Sequence, residues 1–203
     1  HHTSDCGFLL TQVSGPAFGG AGVGPCGEGD MQPFQSVPAA SDVVLSTDQR
    51  AFQLLRQGRH RAALRRFIES YESNPLSRRS YLGAIVAADL VNAVSLAETA
   101  ALMGSRILVT CPDIRFHLAA VYLRQHRWAD ADEAIGNLAA LAPDDSRRLL
   151  LSAVLDAGRH RYRAALRALK SDASQAGLPA QLLTTRSHLL SQLVLRRLLL
   201  RFS

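Results

Sequence analysis

Apolar residues recur along most of the chain with the period of an α-helix. Between Pro112 and Pro143 they return every three or four positions in two short segments, which are separated by a polar bend at Gln125–Trp128. Neither segment can bury its apolar stripe alone, so the pattern predicts two helices that pack on each other and on neighbours. The same arrangement precedes Pro75, two intervals of about 34 residues earlier. The chain is therefore expected to be a stack of helix pairs.

Small and large residues coincide when the two copies are aligned. Ala63 aligns with Ala131, and Phe67 aligns with Ile135. A small residue lets two helices approach closely, and a proline ends the second helix because it cannot continue it. The pattern resembles the tetratricopeptide repeat (TPR) family, on these residues: Leu54, Gly58, Ala63, Phe67, Ser70 and Pro75 in one copy, Leu118, Ala119, Tyr122, Ala131, Ile135 and Pro143 in the other. The resemblance implies an all-α fold, a short TPR-like α-solenoid of antiparallel helix pairs.

The chain divides into three predicted parts. Residues 1–41 are rich in Gly and Pro, and we expect an irregular segment there. Residues 42–177 hold four predicted helix pairs, of which the second, at 78–109, is the least regular. Residues 178–203 are predicted to form one more amphipathic helix. Two interpretations of it stay open: a cap on the fourth pair, or a helix that docks on a partner or a membrane surface.

Two cysteines, Cys6 and Cys26, lie in the N-terminal segment. We predict a disulfide between them, which would close a loop of about twenty residues and stabilise it by about 3 kcal/mol. The alternative is two free thiols, and Cys111 is expected to be free in either case. A disulfide needs an oxidising compartment, and a mature exported protein would show no signal peptide pattern, as here. We therefore expect a periplasmic or secreted location, with a cytoplasmic one as the alternative.

The charge balance is basic, with 23 Lys and Arg against 17 Asp and Glu and a formal net charge of +6. A basic surface suits nucleic acid, acidic lipid or acidic peptide. The arginines are spread over most predicted helices, however, as on an ordinary solvated face. No apolar run reaches the ~20 residues of a membrane-spanning helix.

Candidate catalytic chemistry is sparse. The sequence has no nucleophile elbow, H-E-x-x-H, phosphate loop or cysteine pair at metal spacing. His60 and His160 are predicted to occupy the same bend in related copies, which favours a role in repeat structure over metal binding. We expect no enzyme activity, no metal and no cofactor.

The family resemblance implies a concave groove, lined by the first helix of each pair, that holds a segment of another protein. Register along the predicted helices assigns these residues to the groove: Asp48, Phe52, Leu55, Arg56, Arg79, Leu82, Val86, Asp113, Phe116, Leu123, Arg124, Arg147 and Leu150. The groove would be apolar with an arginine edge, which suits an apolar partner segment flanked by acidic residues. The alternative is that Phe52 and Phe116 are buried between repeats.

These inferences favour a non-enzymatic scaffold, an adaptor or assembly subunit in a bacterial envelope-associated or exported complex. Two alternatives from other classes stay open. One is a basic helical-repeat binder of nucleic acid, which is less favoured because few aromatic residues recur at fixed positions for base contact. The other is a peripheral membrane protein docked through the helix at Leu182–Phe202.

Overall fold

The structure, a computed structural model, describes residues 46–171 and 180–199, with side chains in the last helix from 182 to 194. This part of the chain is helical and contains no strand, so the predicted all-α class is confirmed. The helices are α1 (Thr47–Arg56), α2 (His60–Ser73), α3 (Arg78–Leu90), α4 (Val94–Ile107), α5 (Pro112–Arg124), α6 (Trp128–Leu141), α7 (Arg147–Gly158), α8 (Tyr162–Lys170) and α9 (Ala180–Leu199). The N-terminal segment 1–41 and the predicted Cys6–Cys26 bridge lie outside the described residues.

Helices α1 to α8 pack as four successive pairs, α1 with α2, α3 with α4, α5 with α6 and α7 with α8. The second helices begin at His60, Val94, Trp128 and Tyr162, which are evenly spaced along the chain. This constant spacing agrees with the interval of about 34 residues that was predicted from the sequence. We call it the repeat interval. The less regular second pair keeps the same repeat interval as the others, so the helix pairs are stacked in chain order, as in an α-solenoid.

One backbone conformation makes all four bends. Gly58, Asn92, His126 and His160 have φ between 58° and 73°, in the left-handed region, and they too are separated by one repeat interval each. In each bend the N–H of the next residue donates to a carbonyl five residues earlier, at 2.7–3.0 Å. This is the Schellman arrangement, which satisfies a carbonyl at the end of the first helix. Glycine adopts the conformation freely, whereas an L side chain there costs roughly 1 kcal/mol.

The predicted equivalence of His60 and His160 needs correction. His160 has the left-handed backbone and so corresponds to Gly58, whereas His60 begins α2 and corresponds to Tyr162, which begins α8. The similar letters GRHR in the two bends are shifted by two positions relative to the backbone. Repeat position, and not local letter similarity, therefore defines the equivalent residues.

Small residues set the distance between the helices of each pair. Ala63, Ala97, Ala131 and Ala165 lie one turn into the four second helices, again one repeat interval apart, and all four are completely buried. A methyl side chain at this position lets the partner helix approach closely. The alignment of Ala63 with Ala131 in the sequence is thus part of a fourfold series.

The most enclosed helix is α3, in which every residue from Ser80 to Asp89 is buried. It contacts α1, α2, α4 and α5. At Gly83 the ring of Phe67 lies against the helix backbone, so that an added Cβ would be 2.3 Å from the ring. Only glycine fits there without movement of a fully buried aromatic side chain.

The first helices α1, α3, α5 and α7 form one layer, which we call the first-helix layer. Each of them contacts the first helix of the next pair. In the described part of the chain, successive second helices do not contact each other to the same extent. The first-helix layer is therefore the inner layer of the stack.

The last helix, α9, packs on the fourth pair. Leu182, Leu189 and Leu193 are buried, and the buried Arg186 guanidinium donates to the carbonyl of Leu169 in the last turn of α8. That contact joins α9 to the last turn of α8, where helix carbonyls are commonly satisfied by groups outside the helix. This is the geometry of the capping interpretation of α9.

Candidate partner-binding surfaces

The thirteen predicted groove residues all lie on the first-helix layer, but most of their apolar side chains are in the core. Leu55, Leu82, Val86, Phe116, Leu123 and Leu150 are all buried. Phe52 is partly buried, and its ring meets that of Phe67 edge-on at 4.8 Å between centroids. This corrects the predicted apolar lining, because helices that contact neighbours on several sides keep few apolar positions for a partner.

Asp113 lies between two arginines from neighbouring first helices. Arg147 on α7 donates to it at 2.6 Å, and Arg78 on α3 contacts its other oxygen. Burial alone would raise the pKa of Asp113, but the charge and hydrogen bond of Arg147, with the charge of Arg78, outweigh burial and lower it. Asp113 is therefore ionised and connects three helix pairs.

The Arg147 side chain also makes contacts with two other residues of the protein. Its guanidinium pairs with Asp145 at 2.6 Å and lies 5.1 Å from the centre of the Phe116 ring. Burial acts to lower the pKa of Arg147, but its hydrogen bonds and ion pairs with Asp145 and Asp113 raise it. The predicted arginine edge does not include this side chain.

Arg124 is likewise not at an edge. It forms an ion pair with Asp89 on the neighbouring first helix, and the two side chains are only 8% and 4% exposed. The two residues lie at the same level of adjacent first helices, since their separation differs from the repeat interval by a single position. A buried ion pair of this kind is costly to break, since either partner alone would be a buried charge.

His117 lies one turn after Asp113 on α5, and its Nδ1 is shielded from solvent with no hydrogen-bond partner among the described residues. Burial lowers its pKa to about 4. The charge of Asp113 opposes this effect, whereas the charges of Arg147 and Arg124 reinforce it. The imidazole is therefore neutral at physiological pH.

Asp48 joins the first pair to the second. Its carboxylate accepts hydrogen bonds from the hydroxyls of Ser70 at 2.5 Å, Ser77 at 3.0 Å and Ser80 at 2.8 Å. The junction between the first two helix pairs is thus bridged by Asp48. The ion pairs Asp89–Arg124 and Asp113–Arg147 bridge the other two junctions, so each junction contains a polar contact.

Two members of the predicted groove set stay exposed. Arg56, at the end of α1, and Arg79, in the first turn of α3, have no ion-pair partner in the part of the chain that the structure describes. These two cations and the partly exposed Phe52 are the part of the predicted set that a partner can reach.

Sequence reasoning selected Arg79 but missed Arg78, His117 and Asp145. The signal for Arg78 was present in the sequence, because Arg78, Asp113 and Arg147 alternate in charge at separations of 35 and 34 residues. Charges of opposite sign at the repeat interval indicate contacts between successive first helices. The hydroxyl cluster around Asp48 carries no comparable signal.

Metal and membrane chemistry were also considered for the described residues. They include no group of three or more His, Cys, Asp or Glu side chains arranged to hold a metal ion. None of their helices combines the length and apolar character needed to cross a membrane. Cys111, at the start of α5, is a free thiol that is partly exposed.

Comparison with protein-family models, with curated proteins and with solved structures finds no match for this chain. The resemblance to the tetratricopeptide family therefore rests on the residues quoted above and on their repeat interval.

Proposed function

We propose that this chain is a tetratricopeptide-like scaffold that binds a segment of a partner protein, without enzymatic activity, as an adaptor or assembly subunit. The observation that carries the proposal is the stack of four helix pairs, with one bend per repeat interval and a common inner layer. Such a stack presents an extended surface to a partner. Repeat proteins use surfaces of this kind for binding.

The polar contacts across the first-helix layer support a preformed surface. Asp48, Asp89 and Asp113 each make contacts between successive pairs. A surface that is ordered before binding loses less conformational entropy when a partner docks. The exposed cations Arg56 and Arg79 favour a partner segment that carries acidic residues beside apolar ones.

The proposal is tested with the full chain as bait in an extract of its source cells. A captured protein is purified and its affinity measured directly, with Arg56→Glu/Arg79→Glu as the test variant. Arg106→Glu/Arg163→Glu is the matched control, because both of its arginines are exposed on second helices and it changes the net charge equally.

The expected result is a protein that binds the wild type and the control with equal affinity and the test variant about tenfold or more weakly. Equal binding to all three chains would overturn the proposed site at Arg56 and Arg79 on the first-helix layer, which we call the inner-face site. Recovery of only nucleic acid or lipid would overturn the scaffold itself.

We also propose that the protein works in an exported or envelope-associated complex, with Cys6 bridged to Cys26. Alkylation without prior reduction then labels Cys111 alone, and reduction exposes two more thiols to the reagent. Labelling of all three cysteines without reduction would contradict the bridge and remove the main support for an oxidising compartment.

A further inference from the structure

Three of the four bends hold an arginine directly after the left-handed residue, and they differ in how its charge is neutralised. Arg127, the residue after His126, pairs with Glu98 at 2.5 Å and with Asp130 at 2.6 Å. Arg161 follows His160 and pairs with Asp156 at 2.7 Å. The third and fourth bends therefore hold arginines whose charge is balanced locally.

The first bend has the same arginine without the carboxylates. Arg59 is equivalent to Arg127 and Arg161, from which it is separated by two and three repeat intervals. The position of Asp130 is occupied by Ala62 in the first pair, and that of Asp156 by Leu54. Arg59 has no ion-pair partner within the described ranges, and neither does the exposed Arg61 beside it.

A cleft of about 520 Å³ separates this bend from the second one. Its lining includes Arg59, His60 and Arg61 from the first bend and Leu90 and Val91 from the end of α3. Leu90 is 45% exposed, although it is a large apolar residue. The cleft therefore combines two unneutralised cations with an apolar wall.

We call the side of the stack on which the four bends lie the bend edge. We propose that the cleft between its first two bends binds a short acidic segment of a partner protein. Carboxylates of the segment pair with Arg59 and Arg61, and an apolar side chain of the segment packs on Leu90. The surface lies at the bends and does not include Arg56 or Arg79, so the site is additional to the proposed inner-face site and can fail independently of it.

A peptide fits this surface better than nucleic acid does. A polynucleotide needs cations along the path of its phosphates, but residues 112–145, the third pair, contain six Asp and Glu against three Arg. The basic surface of the first pair is therefore not continued along the stack. The apolar wall at Leu90 also gives a peptide side chain a contact that a phosphate backbone lacks.

The test uses fluorescence anisotropy with the full chain and a labelled peptide, Glu-Asp-Leu-Glu-Asp-Leu-Glu-Asp. An amide peptide, Gln-Asn-Leu-Gln-Asn-Leu-Gln-Asn, and a labelled oligothymidylate serve as comparison probes. Arg59→Glu/Arg61→Glu is the test variant. Arg163→Glu/Arg167→Glu is the control, since it reverses two exposed arginines on α8 and changes the net charge equally. Circular dichroism establishes that each variant is folded.

We expect the acidic peptide to bind the wild type and the control, and to bind the test variant about tenfold more weakly. Leu90→Ser should weaken binding several-fold without changing its salt dependence, because it removes only apolar contact. Equal loss in test and control variants would overturn the cleft, since it would indicate only net charge. Tighter binding of oligothymidylate than of the acidic peptide would overturn the peptide assignment.

The chain's own N-terminal segment is the competing occupant. Residues 1–45 contain Asp5, Glu28, Asp30 and Asp42 and no Lys or Arg, and a tethered segment has a high effective concentration. A further variant, with these four residues changed to Asn or Gln, distinguishes binding of a partner segment from binding of the N-terminal segment. Peptide binding that occurs only in this variant would assign the cleft to the N-terminal segment and overturn the proposal for a partner.

Discussion

Two arginines three positions apart show how differently the inner layer and the bend edge use the same chemistry. Arg124 pairs with Asp89 inside the first-helix layer, where both side chains are less than a tenth exposed. Arg127 pairs with Glu98 and Asp130 at the third bend, where its side chain is 42% exposed. Each contact involves an arginine and a carboxylate, yet their surroundings give them different energetic roles.

The difference follows from solvation. Water screens the exposed pair and hydrates each partner if the other is removed, so such a pair contributes little to stability. The buried pair has lost its hydration, and the loss is offset only while both charges are present. Contacts within the inner layer therefore hold successive repeats together, whereas those at the bend edge contribute little to stability and differ between repeats.

The largest expected effect comes from Arg124→Ala, which leaves Asp89 in the core without its arginine. We expect a loss of about 3–5 kcal/mol in the free energy of unfolding. The exposed counterpart, Arg127→Ala, should cost less than about 1 kcal/mol. Urea unfolding of the two full-length variants measures both, and similar losses would refute the distinction between the two regions.

Two glycine substitutions compare packing in the inner layer with packing on a second helix. Gly83→Ala places a Cβ against the Phe67 ring, so we expect a loss of about 1–3 kcal/mol, although alanine favours helix. Gly136 is also within a helix, but nothing lies within 4 Å of an added Cβ. Gly136→Ala should therefore stabilise by about 0.5–1 kcal/mol. Thermal unfolding of both variants checks the opposite signs; a stabilised Gly83→Ala would show that Phe67 relaxes freely.

The buried position of His117 predicts that the inner layer is sensitive to acid. Its pKa of about 4 in the folded chain lies below the usual value of 6.5, so protonation favours unfolding. The contribution of the neutral ring is complete above pH 6.5 and is lost as the pH falls toward 4. Because part of the residue still contacts solvent, we expect a loss of about 1–2 kcal/mol between about pH 7.5 and pH 5.

Urea unfolding at those two pH values, with His117→Gln as the comparison, measures this loss. The pKa of Asp113 is lowered, so its stabilising contribution is lost only at lower pH and does not interfere. An equal loss in His117→Gln would mean that another group is responsible.

The smallest effects are expected at the bends. Gly58 has φ of 73° and open space around it, so Gly58→Ala should cost only the conformational penalty, about 1 kcal/mol. Asn92→Gly, at the equivalent position, should destabilise less or even stabilise by a few tenths of a kcal/mol. Chemical unfolding with both variants tests this, and a loss above about 2 kcal/mol for Gly58→Ala would indicate a packing role for the bend.

The repeat architecture was readable from the sequence because it depends on local patterns. Apolar spacing predicts the helices, and the alignment of Ala63 with Ala131 indicates the interval at which they pack. The second pair was predicted despite its degenerate sequence, because it keeps small residues such as Ala97. The structure shows why its bend needs no glycine: Asn92 has the left-handed backbone there, and asparagine is one of the few other residues that tolerate it.

The candidate sites were predicted less well. Register placed Leu82, Val86 and Phe116 on the first helices, but it did not reveal that neighbouring helices bury them. The cleft at the first bend was also missed, because its charge depends on the absence of carboxylates beside Arg59. That absence becomes visible only when Arg59 is compared with the arginines at the equivalent backbone positions of the third and fourth bends.

The helices, their pairing and the repeat interval could be read from the amino-acid sequence, because they follow from apolar periodicity and the backbone preferences of single residues. Which charges are buried, which are neutralised and which are exposed became visible only in the folded chain. Those properties depend on the distance between side chains of successive repeats, and therefore on how closely the helix pairs stack.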